Sequence, residues 1–210
     1  MAYDGPALST ILLAAVAFAL LFPGVSFLLN RRYCRGALAT DVPGIALLAS
    51  LVFALAILCE ASINPVYTQF QDEKLWVYRL LPLHDGNVSA LAVLIWASYG
   101  VHLYFFNQTL DSRLPQGRRR NLYKAVVIGV EAPLLWEVLG NGFFLLLVGE
   151  FYAYYHPGEL FHLTSLRVVP IYILCIYVGL LVYDRLRRRA HDWRIPVALF
   201  AFGIAFLAAG

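Results

Sequence analysis

Charge is what this sequence has least of. Asp, Glu, Lys and Arg make up 14% of its 210 residues, where a soluble domain carries roughly a quarter. With 61% apolar residues and a mean hydropathy of +0.70, there is too little polar surface to coat a globule in water. Gly/Ser linkers, low-complexity tracts and internal repeats are also missing, so residues 1–210 read as one domain with no soluble catalytic domain beside it. The three cysteines, Cys34, Cys59 and Cys175, are odd in number and have no CxxC spacing. They make neither a disulfide framework nor a zinc site, and small apolar packing is the expected role. No Walker A sequence, HExxH, nucleophile elbow or paired DxxxD occurs, and no histidine run of the di-iron desaturase kind. Nucleic-acid binding is a poor reading, because the arginines sit in three short runs between apolar spans.

What is present is length in apolar runs. A helix needs about 20 mainly apolar residues to cross a hydrocarbon core of ~30 Å. Segments near 7–29, 43–64, 88–108, 124–149, 167–184 and 195–210 qualify or nearly do. The first reads as a retained span, since no basic region precedes it and its apolar run is too long for a signal peptide. Thirteen of the sixteen basic residues fall in alternate loops, in the groups Arg31/Arg32/Arg35, Arg113/Arg118/Arg119/Arg120/Lys124 and Arg185/Arg187/Arg188/Arg189/Arg194. Basic loops stay cytoplasmic. The expected fold is therefore an all-α polytopic transmembrane helix bundle of about six spanning helices, with both termini non-cytoplasmic. The expected location is the cell (inner) membrane.

The other loops differ in kind. Residues 65–87 contain Trp76, Tyr78 and Leu80-Leu81-Pro82-Leu83 and suit a segment lying in the interface; residues 150–166 carry Tyr152, Tyr154 and Tyr155, suited to an aromatic belt. Glu60 and Asn64, one helical turn apart near the outer end of span two, are candidates for an outer polar cluster with Glu150, His156, His162 and Arg167. The His-x5-His spacing matches no strong metal signature, so no metal is expected.

Ionisable residues inside spans cost about 2.5–3.5 kcal/mol at the helix centre and default to functional hypotheses. Span four carries Glu131, Glu137 and Asn141 around Pro133, which leaves the Gly129 carbonyl without its helical donor. Broken backbone at that depth is tolerated where it is buried or lines a cavity. Glu137 and Asn141 share a face, whereas Glu131 lies about 120° around the axis, so span four is expected at the centre of the bundle. His102 of span three lies at the depth of Glu131 and is its expected partner, with Ser98, Trp96 and Tyr99 nearby. No second intramembrane histidine accompanies His102, which argues against a b-type haem, and no cofactor is expected.

Buried carboxylic acids beside aromatics suit general acid chemistry on an apolar substrate, because desolvation keeps the proton available. The candidate catalytic residues are Glu137, Glu131, His102, Asn141 and Glu60. Trp136, Trp96, Tyr99, Asn64 and Phe144 are the candidates for substrate contact, aromatic faces among them stabilising a developing cation. A packing role competes, with the acids protonated and holding helices together.

Leu134-Leu135-Trp136-Glu137, followed by Asn141, resembles the Trp-Glu segment of the small integral-membrane terpene cyclases of meroterpenoid pathways. The resemblance covers about a dozen residues. It implies a compact polytopic protein that protonates an isoprenoid epoxide or olefin, with Glu137 as the acid. In that family the pair lies in an early helix and a second acid in the last; here the pair is in span four and span six has no acid, Asp184 ending span five instead. The leading expectation is thus an intramembrane enzyme acting on a lipid or isoprenoid in the bilayer. Two others stand beside it: a non-catalytic subunit or assembly factor with membrane-protein partners, and a small transporter or proton path.

Overall fold

The computed structural model describes residues 6–209. The described residues are mostly helical, as expected, and run as six helical rods. These are α1 (Leu8–Tyr33), α2 (Val42–Gln71), α3 (Ala92–Arg113), a composite rod, α6 (Val169–Leu186) and α7 (Arg194–Ala208). The composite rod joins α4 (Arg120–Glu131), a π-helical segment (Ala132–Glu137) and α5 (Val138–Val148). Three helices, Leu8–Tyr33, Val42–Gln71 and Leu166–Arg189, are long and apolar enough to cross a membrane, and Arg194–Ala208 is apolar but shorter.

Helix boundaries follow local chemistry. Asp41 accepts a hydrogen bond from the Gly44 amide (2.9 Å) and Pro43 sits in the first turn, together starting α2. The π segment begins beside Pro133; without its N–H the ring cannot continue the α-helical ladder, and the chain takes the wider turn instead. Ser26, Asn30, Glu60, Asn64 and His102 are buried among apolar side chains inside the bundle, while many large apolar residues are exposed on its outside. On α1 the buried face is Ala14, Ala15, Phe18, Ser26 and Asn30, while Leu13, Leu20 and Leu28 point outward. Leu20 is 72% exposed and Leu146 on α5 is 87% exposed. Exposed apolar patches of that kind mark a protein or membrane contact.

Close backbone approaches hold the rods together. A Cβ on Gly100 of α3 would lie 2.5 Å from the Ala49 Cα of α2, and one on Gly129 of α4 would lie 2.6 Å from the Ile173 side chain of α6. At each of these glycines the absence of a side chain lets two helices approach closely.

One end of the bundle is closed by a small β lid, a feature absent from the sequence-based expectation. Strand β1 (Trp76–Tyr78) pairs antiparallel with β4 (Ala153–Tyr155), Trp76 opposite Tyr155 and Tyr78 opposite Ala153. Strands β2 (Pro82–Leu83) and β3 (Val88–Ser89) form an adjoining hairpin. The lid has its own apolar packing: Leu75, Leu80 and Val88 are buried. The α2 helix also runs seven residues past its expected end at 64, to Gln71. At the opposite end Arg113 donates to the Tyr33 carbonyl, and Asp111 pairs with Arg120 (2.9 Å) and with Lys124. Asn121 donates to Asp184 (2.8 Å) across α4 and α6. The basic loops thus gather at one end and the lid stands at the other.

Candidate functional site

An apolar cleft runs down the inside of the bundle between α2, α3, the composite rod and α6. Its α2 wall extends from Leu48 to Ile63, roughly 22 Å at 1.5 Å per residue. Leu103, Ile128 and Ile176 continue the wall from the other helices. Polar groups are concentrated at the lid end, where Glu60, Trp76, Trp96, Tyr155 and Tyr172 meet, while Asn107 marks the other end.

Glu60 is the acid of this cleft. Its Oε1 receives the Tyr78 hydroxyl and the Trp96 indole N–H (2.9 Å). Its Oε2 is buried with no partner. A buried carboxyl oxygen left unpaired is costly; Glu131 Oε1 shares that condition, but of the two acids it is Glu60 whose side chain lines the apolar cleft.

Glu137 stands across the same group of aromatics and is differently placed. Its Oε2 receives the Thr164 hydroxyl (2.6 Å) and its Oε1 the Tyr172 hydroxyl. Both oxygens therefore have donors. Glu137 lines a second, smaller cavity beneath the lid, with Trp136, Asn141, Phe144 and Tyr152, and Trp96 and Tyr155 form part of both cavities.

The third acid faces the other way. Glu131 receives the Tyr99 hydroxyl (2.9 Å) and lies 3.4 Å from His102 Nε2. The far ring nitrogen of His102 meets Ser26 Oγ at 2.7 Å, and Asn30 donates to Ser26. The His102–Glu131 pair expected from depth is therefore present, extended by two α1 residues. Trp136 stacks on His102, centroids 5.5 Å apart, which leaves no space between them for a substrate.

Other expected site residues serve the lid. Asn64, fully buried, donates to the Trp76 carbonyl and to Asn87 and accepts from the Leu75 amide, each at 2.8 Å. Asn141 accepts from the Ala153 amide (2.8 Å) and donates to the Leu163 carbonyl (2.6 Å). One asparagine anchors each strand of the β1–β4 pair. Phe144 is packed between Phe18 and Tyr152.

The outer polar cluster is not assembled. Arg167 reaches Tyr67 and Glu159, His162 contacts the Tyr155 carbonyl, and Glu150 accepts the Phe151 amide. Among the described residues no group of three or more His, Cys, Asp or Glu side chains is placed to hold a metal ion.

Residues that sequence reasoning passed over complete the site. Tyr78, Tyr172 and Thr164 give the acids their hydrogen bonds. Tyr172 shares its apolar span with Tyr177 and Tyr183, so nothing in the sequence singles it out, whereas the Ser26-x3-Asn30 spacing was the signal for the α1 pair. Cys59 and Cys175 both line the cleft, with their sulfurs 3.1 Å apart. No protein-family model, curated protein or solved structure matches the chain.

Proposed function

We propose that this protein is a membrane-embedded enzyme acting on a lipid or isoprenoid chain by carboxylic-acid general acid chemistry, with Glu60 as the donor. The observation that carries the reading is the partnerless Glu60 Oε2 at the polar end of the apolar cleft. A chain-like substrate lies along Leu48–Ile63 and presents its reactive end, an olefin or epoxide, to Glu60. The Tyr78 and Trp96 donors hold one carboxyl oxygen still, so the proton sits on the other. Trp76, Trp96 and Tyr172 offer aromatic faces to positive charge developing there. This is proton-initiated isomerisation or cyclisation, the chemistry that the terpene-cyclase resemblance implies, with the acid role moved from Glu137 to Glu60.

The same reading takes all six rods as spans, with the lid outside and the basic end in the cytoplasm. The gathering of Arg113, Arg120, Lys124 and Arg187–Arg189 at the end away from the lid supports that orientation.

The test is Glu60→Gln in protein purified with its bound organic molecule. The reading requires that the variant keep the molecule and lose its conversion. Undiminished conversion removes Glu60 from the acid role. A wild-type protein that binds no chain-like molecule and co-purifies in fixed stoichiometry with another membrane protein favours the non-catalytic subunit instead.

A further inference from the structure

Two thiols meet in the wall of this cleft without a part in the acid chemistry. Cys59 on α2 and Cys175 on α6 are 116 residues apart in sequence, and their sulfurs are 3.1 Å from each other. Both are free and partly exposed, and both line the cleft. Closing to a disulfide requires an S–S distance of about 2.05 Å, an approach of roughly 1 Å along a line the two side chains already share. Packing alone does not require the sulfurs to face each other.

The pair opens onto a passage walled by Leu51, Leu55, Ile63, Ile171 and Ile176, through which an apolar oxidant can reach it. Charged tripeptide disulfides and the exposed loops of thiol oxidoreductases are excluded from such a space by their desolvation cost. The thiols also lie toward the polar, aromatic end of the cleft. Cys59 directly precedes Glu60, Cys175 follows Tyr172 by one turn, and Trp76 and Trp96 stand beside them. Flat aromatic side chains around a slot favour a flat ring, while the apolar length beyond favours a chain attached to it.

We propose that the cleft takes a quinone carrying an apolar tail, and that Cys59 and Cys175 form a dithiol–disulfide couple that exchanges two electrons with it. In the oxidative direction each thiol gives up one hydrogen and an S–S bond forms between the two sulfurs. Two electrons and two protons pass to the two carbonyl oxygens of the ring, giving the hydroquinone. Glu60, the carboxyl that lines the cleft, is the group at hand to carry a proton to the nearer oxygen. The resulting disulfide links α2 to α6 across the cleft. This inference rests on the reading of the cleft as a chain-binding site, but not on protonation of an olefin or epoxide.

The test uses the full chain, reduced, in detergent, with a dimethoxy-methyl-benzoquinone bearing a decyl tail. The expected result is one hydroquinone and one Cys59–Cys175 disulfide per chain, read by absorbance and by peptide mass spectrometry after alkylation. Cys34, whose sulfur lies against the Gln108 carbonyl at 3.8 Å, remains alkylatable throughout. Cys59→Ser and Cys175→Ser each lose both products. The hydroquinone dimethyl ether with the same tail accepts no electrons and reports occupancy alone, as a rise in Tm. If the ether raises Tm while the quinone leaves both thiols free, the redox couple is overturned and the chain-binding cleft stands. If the ether leaves Tm unchanged, the cleft reading falls and the couple falls with it. A disulfide formed by a copper catalyst but not by the quinone overturns the assignment of the oxidant.

Discussion

Glu60 and Glu137 sit on opposite sides of one aromatic group and share neighbours in Trp96 and Tyr155, yet their surroundings give them different work. Each takes a tyrosine hydroxyl, from Tyr78 and Tyr172 respectively. Glu137 spends its second oxygen on Thr164, in the segment that leads back from the lid into α6. Glu60 has no donor on its second oxygen, which is buried, while its side chain lines the larger cavity. A carboxyl with both oxygens filled ties three segments together. On the proposed reading, one with an unpaired oxygen beside an apolar cleft has a proton to place.

Variants at these positions can break the comparison, beginning with the largest expected effect. Glu60→Gln is expected to lower turnover by about 10²–10⁴-fold, the usual contribution of a positioned general acid. Its Tm should stay near wild type, because the amide oxygen still accepts from Tyr78 and Trp96. Glu137→Leu is expected to act through stability instead. It strands the Thr164 and Tyr172 hydroxyls, at about 1–3 kcal/mol for each buried group left unsatisfied, while the folded fraction keeps most of its turnover. Equal catalytic losses in the two variants would erase the distinction between the acids.

Asn64→Ala removes three buried hydrogen bonds that hold β1 and the Asn87 turn. A stability loss of about 2 kcal/mol or more is expected, with faster protease cleavage in the lid loops than in the helices. Tyr172→Phe is expected to cost about 1 kcal/mol, and Tyr78→Phe to change the pH profile of turnover more than stability. The smallest effect is expected at Lys74→Met. Its ammonium bonds Asp85 Oδ2 at 2.7 Å and holds that carboxyl below the usual carboxylate range. A depressed carboxylate stabilises the fold above its unfolded pKa, and that contribution fades as pH falls through the folded value. The variant should therefore differ from wild type near neutral pH and converge with it in acid, and salt should shrink the difference, because Asp85 is exposed.

The helical architecture was legible in the sequence because apolar runs of membrane length and the alternation of basic loops are local signals. Pro133 likewise announced a break in its helix. The lid was not legible: Trp76-Val77-Tyr78 and Ala153-Tyr154-Tyr155 are short, far apart in sequence and rich in the aromatics that also mark a membrane interface. Their pairing depends on Asn64 and Asn141, which looked like site residues because a buried amide has the same composition signal whether it binds a ligand or a backbone. The acids were recognisable as unusual, but their ranking required the identity of each donor. Glu137 drew attention through Trp136 and Pro133, whereas the free oxygen of Glu60 exists only in three dimensions.

The most direct test of the central claim is mass spectrometry of the molecule held by the purified protein, beside an Ala56→Phe variant that fills the middle of the cleft. The account predicts a chain-like lipid or isoprenoid bound in near-unit stoichiometry to wild type and lost from the variant, with folding intact. Ordinary phospholipid alone, retained equally by both proteins, would contradict it.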